Sequence, residues 1–213
     1  MSRAVIFDLD GTLLDTLDDL ADSVNFALGF YGYPERTVRE VNSFIGNGVG
    51  ELIRRALPDG AQADFERVLA KFKENYCERA NIKTRVYDGL IDTIVRLRAD
   101  GYKIAVVTNQ VDLVAKGLCD EYFGSLVDIT IGDRADTPRK PAPDGVLYAM
   151  QYLGCDSAIY VGDSDVDIAT AKNAGIPCVS VTWGFRGREF LEQHGGCLFA
   201  DDADGLYEII MNL

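Results

Sequence analysis

Histidine is almost absent from this chain: His194 is the only one in 213 residues, and it stands beside Gly195 and Gly196 in a stretch that reads as loop. An imidazole-based triad or a histidine zinc site is therefore excluded. Paired cysteines are lacking too. Cys77, Cys119, Cys155, Cys178 and Cys197 are odd in number and scattered, with no C-x-x-C spacing, which predicts buried, reduced thiols and a cytoplasmic location. No apolar run nears the roughly 20 residues of a membrane span. Arg3 is followed by only four apolar residues before Asp8, far short of a secretory leader. Basic charge is also scarce, with 21 Lys and Arg against 34 Asp and Glu and a net charge of −13. That argues against nucleic acid or an anionic membrane surface as partner. A small phosphorylated metabolite stays open, because a metal ion and one lysine can reverse the local field. The expected assembly is a monomer or a homodimer.

What is present is a recurrence of short β-branched runs, at residues 4–7, 103–108, 126–131, 158–161, 177–181 and weakly 197–199. Between them lie segments of helical period: Leu90, Ile91, Ile94 and Leu97 up to Gly101, then 111–122, 144–153, 165–174 and 204–211. Buried strands alternating with helices predict an α/β fold with a Rossmann-like, doubly wound parallel sheet. The alternation fails once. Some 95 residues after the first strand carry no good strand signal, and helical faces take their place: Leu17, Leu20, Ala21, Val24 and Leu28, then 51–57, then Phe65, Val68, Leu69, Phe72 and Tyr76. Thr37-Val38-Arg39-Glu40 has the capping-box pattern of a further helix start. The expected organisation is a core of 1–14 and 86–213 with a helical insertion at 15–85.

Ligands of open α/β sheets bind beyond the carboxyl ends of the strands. After the first run, VIFDLDGT places Asp8 and Asp10 two positions apart, on the same side of an extended backbone, where like charges repel. A strand running into an Asx-type turn would explain this stretch by itself. After the second run come Thr108 and Asn109. Lys140 sits in a proline-braced loop, RKPAP. After residues 158–161 come Gly162, Asp163 and, four positions on, Asp167. Asp163 could alternatively be a helix N-cap, Asp15 reads as another N-cap, and Arg139 as a solvated loop charge.

In this order, DLDGT, VVTN, RKPAP and GDSDVD resemble the signature of the haloacid dehalogenase superfamily, over the whole chain and including a helical cap inserted after the first motif. The resemblance implies Asp8 as a nucleophile forming an aspartyl-phosphate and Asp10 as the acid and base. It implies Gly11, Thr108, Asn109 and Lys140 at the phosphate, with Gly11 permitting the turn that lets backbone N–H groups face it. It also implies Mg2+ held by Asp8, the Asp10 carbonyl and Asp163, with Asp167 holding the ion or its waters. Asp10 points to phosphoryl chemistry, since dehalogenases lack that carboxylate.

Two further stretches resemble the phosphoglycolate phosphatase branch: Ile45-Gly46-Asn47-Gly48 followed by Arg55-Ala56-Leu57, and Val181-Thr182-Trp183-Gly184-Phe185-Arg186. They imply a cap that selects a small phosphate monoester, with Gly46, Asn47, Gly48, Arg54 and Arg186 as candidate specificity residues. Gly46-Asn47-Gly48 also reads as a plain helix–helix turn. Arg54 and Arg55 face different ways, and Arg186 is a rim residue or a solvated one. A phosphomutase of the β-phosphoglucomutase type, a pyrophosphatase, or a phospho-aspartate signalling module would share parts of this pattern.

Overall fold

The computed structural model describes residues 2–213. The strands are β1 (Arg3–Phe7), β2 (Leu14–Asp15), β3 (Arg85–Val86), β4 (Lys103–Val111), β5 (Ile129–Asp133), β6 (Ser157–Gly162), β7 (Cys178–Val181) and β8 (Phe199–Ala200). Six form one sheet in the order β5-β4-β1-β6-β7-β8, all neighbours parallel, and β2 pairs with β3. β1 is flanked on both sides, with Ile6 in register with Ala105 of β4 and Tyr160 of β6. Ala4, Val5, Ile6 and Phe7 are all fully buried. Both faces of this strand are covered, which is why it reads as an unbroken apolar run and not as an alternation. The order reverses at β1: the chain goes to β4 on one side and to β6 on the other, so the loops after these three strands open at one switch point.

The chain divides into two compact units, Met1–Leu14 with Val86–Leu213, and Asp15–Arg85. The first carries the six-stranded sheet and helices that include α5 (Leu90–Ala99), α6 (Asp112–Tyr122), α7 (Asp144–Leu153), α8 (Asp165–Ala174), α9 (Arg188–Gln193) and α10 (Ala203–Met211). Ala4, Ile6, Ala105, Val107 and Tyr160 pack with Val146 and Ala149 of α7 and Ala171 of α8 in one cluster. On α5, the Thr93 hydroxyl donates to the Ala203 carbonyl at the start of α10.

The second unit holds α1 (Leu17–Phe30), α2 (Val38–Phe44), α3 (Gly48–Ala56) and α4 (Phe65–Arg79). Leu20, Val24 and Leu28 of α1 are buried, as are Val68, Phe72 and Tyr76 of α4, and the last two rings stack at 5.3 Å. Thr37 and Glu40 close the expected capping box. The N-cap of α1 is Thr16, not Asp15, whose carboxylate meets Arg85 at 2.7 Å. Asp19, an α1 residue with 2% exposure, accepts the main-chain N–H of Ile82, Lys83 and Thr84 and the Thr84 hydroxyl. One carboxylate thus ties the end of the insertion to its beginning.

All five cysteines are free, but Cys77 and Cys197 are exposed and not buried. Burial pushes the Cys119 and Cys178 thiols up to about 12. Among the described residues, no helix is long and apolar enough to cross a membrane.

Candidate active site

The loop after β1 is a tight turn: the N–H groups of Thr12, Leu13 and Leu14 all point to the Leu9 carbonyl. Gly11 takes φ +79°, and a side chain there would overlap Asp163 Oδ2, so the position demands glycine on two counts. Its own N–H is bound to the Leu14 carbonyl at 2.8 Å. Gly11 therefore shapes the loop and lets Asp163 approach, and its amide is engaged inside the turn.

Asp8 is buried at the end of β1. Its Oδ1 accepts the Leu9 N–H at 2.7 Å and meets Lys140 Nζ at 2.8 Å. Both contacts fall on the same oxygen, which leaves Oδ2 to act on a ligand. Lys140 reaches Asp167 Oδ1 at 2.7 Å and Tyr160 Oη at 3.0 Å, and its side chain is 4% exposed. Asn109, expected at the phosphate, clamps the lysine's backbone with its side chain: Oδ1 accepts Lys140 N–H and Nδ2 donates to Lys140 O. Thr108 is buried, and its hydroxyl accepts the Gln110 N–H at 3.2 Å.

Asp163 and Asp167 flank the start of α8, whose N-cap is Ser164 and not Asp163. Ser164 and Asp167 form a capping box. Asp167 Oδ2 accepts the Ser164 hydroxyl at 2.6 Å, the Ser164 N–H at 3.0 Å and the Asp163 N–H at 3.2 Å. Both oxygens of Asp167 are thus engaged by the protein itself. Asp163 Oδ2 accepts the Phe185 N–H at 2.7 Å, and Trp183 Nε1 donates to the Thr12 carbonyl at 3.1 Å. Gly184 packs so closely that a Cβ would overlap the Gly11 carbonyl and lie 2.6 Å from Asp163 Oδ2. The Trp183-Gly184-Phe185 segment therefore braces the turn and the acid together.

This much buried negative charge has consequences. Burial, then the nearby Asp167 carboxylate, push Asp8 up from 3.8 to about 7, against the pull of Lys140. Burial, Asp167 and Asp8 likewise hold Asp163 well above the carboxylate range. Burial by itself would push Lys140 down, but Asp167 and Asp8 carry its ammonium well above the ordinary value. Asp8, Asp163 and Asp167 each present an oxygen within 4.8 Å of the others, a hard, all-oxygen set suited to a divalent cation such as Mg2+. A cation there would relieve the repulsion that raises Asp8 and Asp163. The residue types fit the ion.

The sheet brings Asp8, Lys140, Asp163 and Asp167 together, with Thr108 and Asn109 beside them on β4. Three contributors had no sequence signal of their own. Tyr160 lies inside a strand, Phe185 acts through its backbone, and Gln110 bonds Asp10 from beyond the expected strand end. Elsewhere, Gly46 and Gly48 turn the chain with φ of 123° and 83°, and Arg55 braces that turn through the Phe44 carbonyl and Asn47 Oδ1. Arg54 pairs with Glu51 at 3.1 Å and covers the Phe65 ring. Arg186 lies near the Phe190 ring, and Arg139 pairs with Asp133 at 2.7 Å.

The chain is similar to known proteins over most of its length. Residues 5–181 match the family described as haloacid dehalogenase-like hydrolase. Phosphoglycolate phosphatase 1 of Pseudomonas aeruginosa is 36% identical over 203 residues, which is 91% of this chain and 74% of that protein. Phosphoglycolate phosphatase of Aquifex aeolicus is 32% identical over 86% of each chain. A crystal structure from Lactobacillus delbrueckii subsp. bulgaricus, 34% identical, superimposes with a TM-score of 0.91 over 97% of both chains.

Proposed function

The chain belongs to the haloacid dehalogenase-like hydrolases, and from that premise we propose that it is a Mg2+-dependent phosphatase of small phosphate monoesters, with 2-phosphoglycolate as preferred substrate. The observation that carries the reading is the buried arrangement in which Lys140 pins one oxygen of Asp8 and leaves the other to a ligand.

Asp8 is the nucleophile: its carboxylate oxygen attacks phosphorus as the bond from phosphorus to the ester oxygen breaks, giving an aspartyl-phosphate. Asp10 gives its proton to the departing ester oxygen. It then takes one from the water that attacks the phosphorus, freeing inorganic phosphate and restoring Asp8. Lys140 and Thr108 hold the phosphoryl oxygens, the lysine as a fixed charge and the threonine by its hydroxyl. Asn109 sets the height of Lys140 through its backbone. A carboxylate is a weak nucleophile, so the site works chiefly by positioning and charge. The residues that would hold Mg2+ are Asp8, Asp163 and the main-chain carbonyl of Asp10. When bound, the ion supplies neutralisation of the phosphoryl charge. Asp167, with both oxygens engaged, supports the site by holding Lys140 and the backbone at residues 163–164.

The unit Asp15–Arg85 is assigned as the cap that selects substrate. The names of the relatives and the Gly46-Asn47-Gly48 turn support 2-phosphoglycolate. The test is phosphate release, with Mg2+ and with EDTA, from 2-phosphoglycolate, p-nitrophenyl phosphate, hexose phosphates, nucleoside monophosphates and pyrophosphate. A preference of about a hundredfold in kcat/KM, ~2.7 kcal/mol in the transition state, is expected for 2-phosphoglycolate. Full activity in EDTA would defeat the metal assignment. A flat panel would defeat the substrate, and isomerisation of a hexose phosphate without release of phosphate would identify a mutase.

A further inference from the structure

β4 does not end at Thr108 but runs on to Val111, with a register shift between Val107 and Val111 where it meets β5. Gln110 lies in this irregular stretch and is 3% exposed. A buried amide is costly unless its polar atoms are bonded, and both ends of this one are. Its Oε1 accepts the Val111 N–H at 3.0 Å, which fixes the orientation of the amide and turns the NH2 group toward Asp10. Nε2 then donates to both carboxylate oxygens of Asp10, at 3.3 Å to Oδ1 and 3.2 Å to Oδ2. The Gln110 main-chain N–H is bound to Thr108 Oγ1, so the same residue also touches the proposed phosphate-binding threonine.

We infer that Gln110 is a positioning residue for proton transfer by Asp10, an inference that rests on the phosphatase reading above. A neutral donor astride both oxygens limits rotation of the carboxylate without adding charge beside Asp8 and Lys140. The contacts are longer than the usual ~2.9 Å, so they hold the group yet let it turn to the leaving oxygen. Gln110 itself neither touches substrate nor moves a proton.

The test is the leaving-group dependence of kcat/KM, which covers the steps up to phosphoryl transfer to Asp8. An alkyl ester such as 2-phosphoglycolate departs as a poor alkoxide and needs the proton of Asp10. p-Nitrophenyl phosphate departs as a stabilised phenolate and does not. Gln110→Met keeps the length and burial of the side chain and removes the donor. It is expected to lower the alkyl-to-aryl ratio of kcat/KM about tenfold, a fraction of the 10²–10⁴ that general acid catalysis supplies. Asp10→Asn should shift the ratio the same way and further. Gln110→Asn, a shorter amide that retains a donor, should fall between wild type and Gln110→Met, and it serves in its place should Gln110→Met fail to fold. If Asp10→Asn shifts the ratio while both Gln110 variants leave it at the wild-type value, Gln110 is only a packing residue and the phosphatase reading stands. If Asp10→Asn itself leaves the ratio unmoved, the acid role of Asp10 falls and the inference falls with it.

Discussion

Asp8→Asn exchanges the buried carboxylate for a neutral group of the same shape, and its effect on the metal-free protein should change with pH. Asp8 is pushed up from 3.8 to about 7 by burial and by Asp167. Between those values the folded protein binds a proton that the unfolded chain does not. Stability therefore falls as pH rises from about 3.8 to 7 and is level above, the reverse of a carboxylate held low by a partner. The gap, 7 − 3.8, at about 1.36 kcal/mol for each factor of ten, comes to ~4 kcal/mol by pH 8. At pH 5 the wild type has lost only ~2 kcal/mol, since that pH lies little more than a third of the way from 3.8 to 7. Asn mimics the protonated acid and escapes the loss. In EDTA the variant should thus exceed the wild type by ~2 kcal/mol at pH 5 and ~4 kcal/mol at pH 8. The assay is guanidinium unfolding followed by fluorescence of Trp183, the only tryptophan, which reports on the sheet-bearing unit through its bond to the Thr12 carbonyl. Mg2+ at a hundred times its Kd adds about 2.7 kcal/mol to the wild type, which should narrow the difference at pH 8 without reversing it. A difference that stays constant between pH 5 and pH 8 would refute the account of Asp8.

Lys140→Met leaves Asp8 and Asp167 buried without their common partner; we expect a loss of ~3–5 kcal/mol in chemical denaturation at pH 7, together with loss of turnover. Gly184→Ala forces a methyl group against the Gly11 carbonyl and Asp163. It should cost ~1–3 kcal/mol and weaken Mg2+ binding measured by calorimetry, and wild-type affinity would show that the brace on Asp163 does not matter. Asp19→Asn removes the charge that collects the N–H groups of residues 82–84. The expected cost is ~1.5–3 kcal/mol, seen as faster amide exchange confined to that segment.

The buried strands were legible because a parallel sheet covered on both faces leaves apolar runs that stop where carboxylates begin, as at Phe7-Asp8. Asp8 and Asp163 stood out for the same reason, each following a strand end, whereas Lys140, in a loop, and Asp167, inside α8, were singled out by the order of motifs. Contacts made by backbone were invisible: nothing in the letter F announces that the Phe185 N–H bonds Asp163. Gln110 escaped because a polar residue past an apolar run reads as loop, whereas β4 continues to Val111. The two-residue strands β2 and β3 are too short to have a period, and α9, with six residues, gives less than two turns of pattern. Asp167 was placed by its spacing, but the full engagement of both its oxygens follows only from Ser164 and Tyr160 being where the fold puts them.

The central place of β1 bears on how the protein is made. Phe7 has neighbours in Val106 and Val161, residues that leave the ribosome long after it. At roughly 5–20 residues per second, the strand waits on the order of ten to thirty seconds before its second flank exists. The helices between Asp15 and Arg85 are synthesised in that interval, and they form a compact unit of their own. Asp8 and Asp163 come together only when β6 docks. A nascent chain that stops short of β6 therefore has Asp8 without Asp163, and β1 without its second flank.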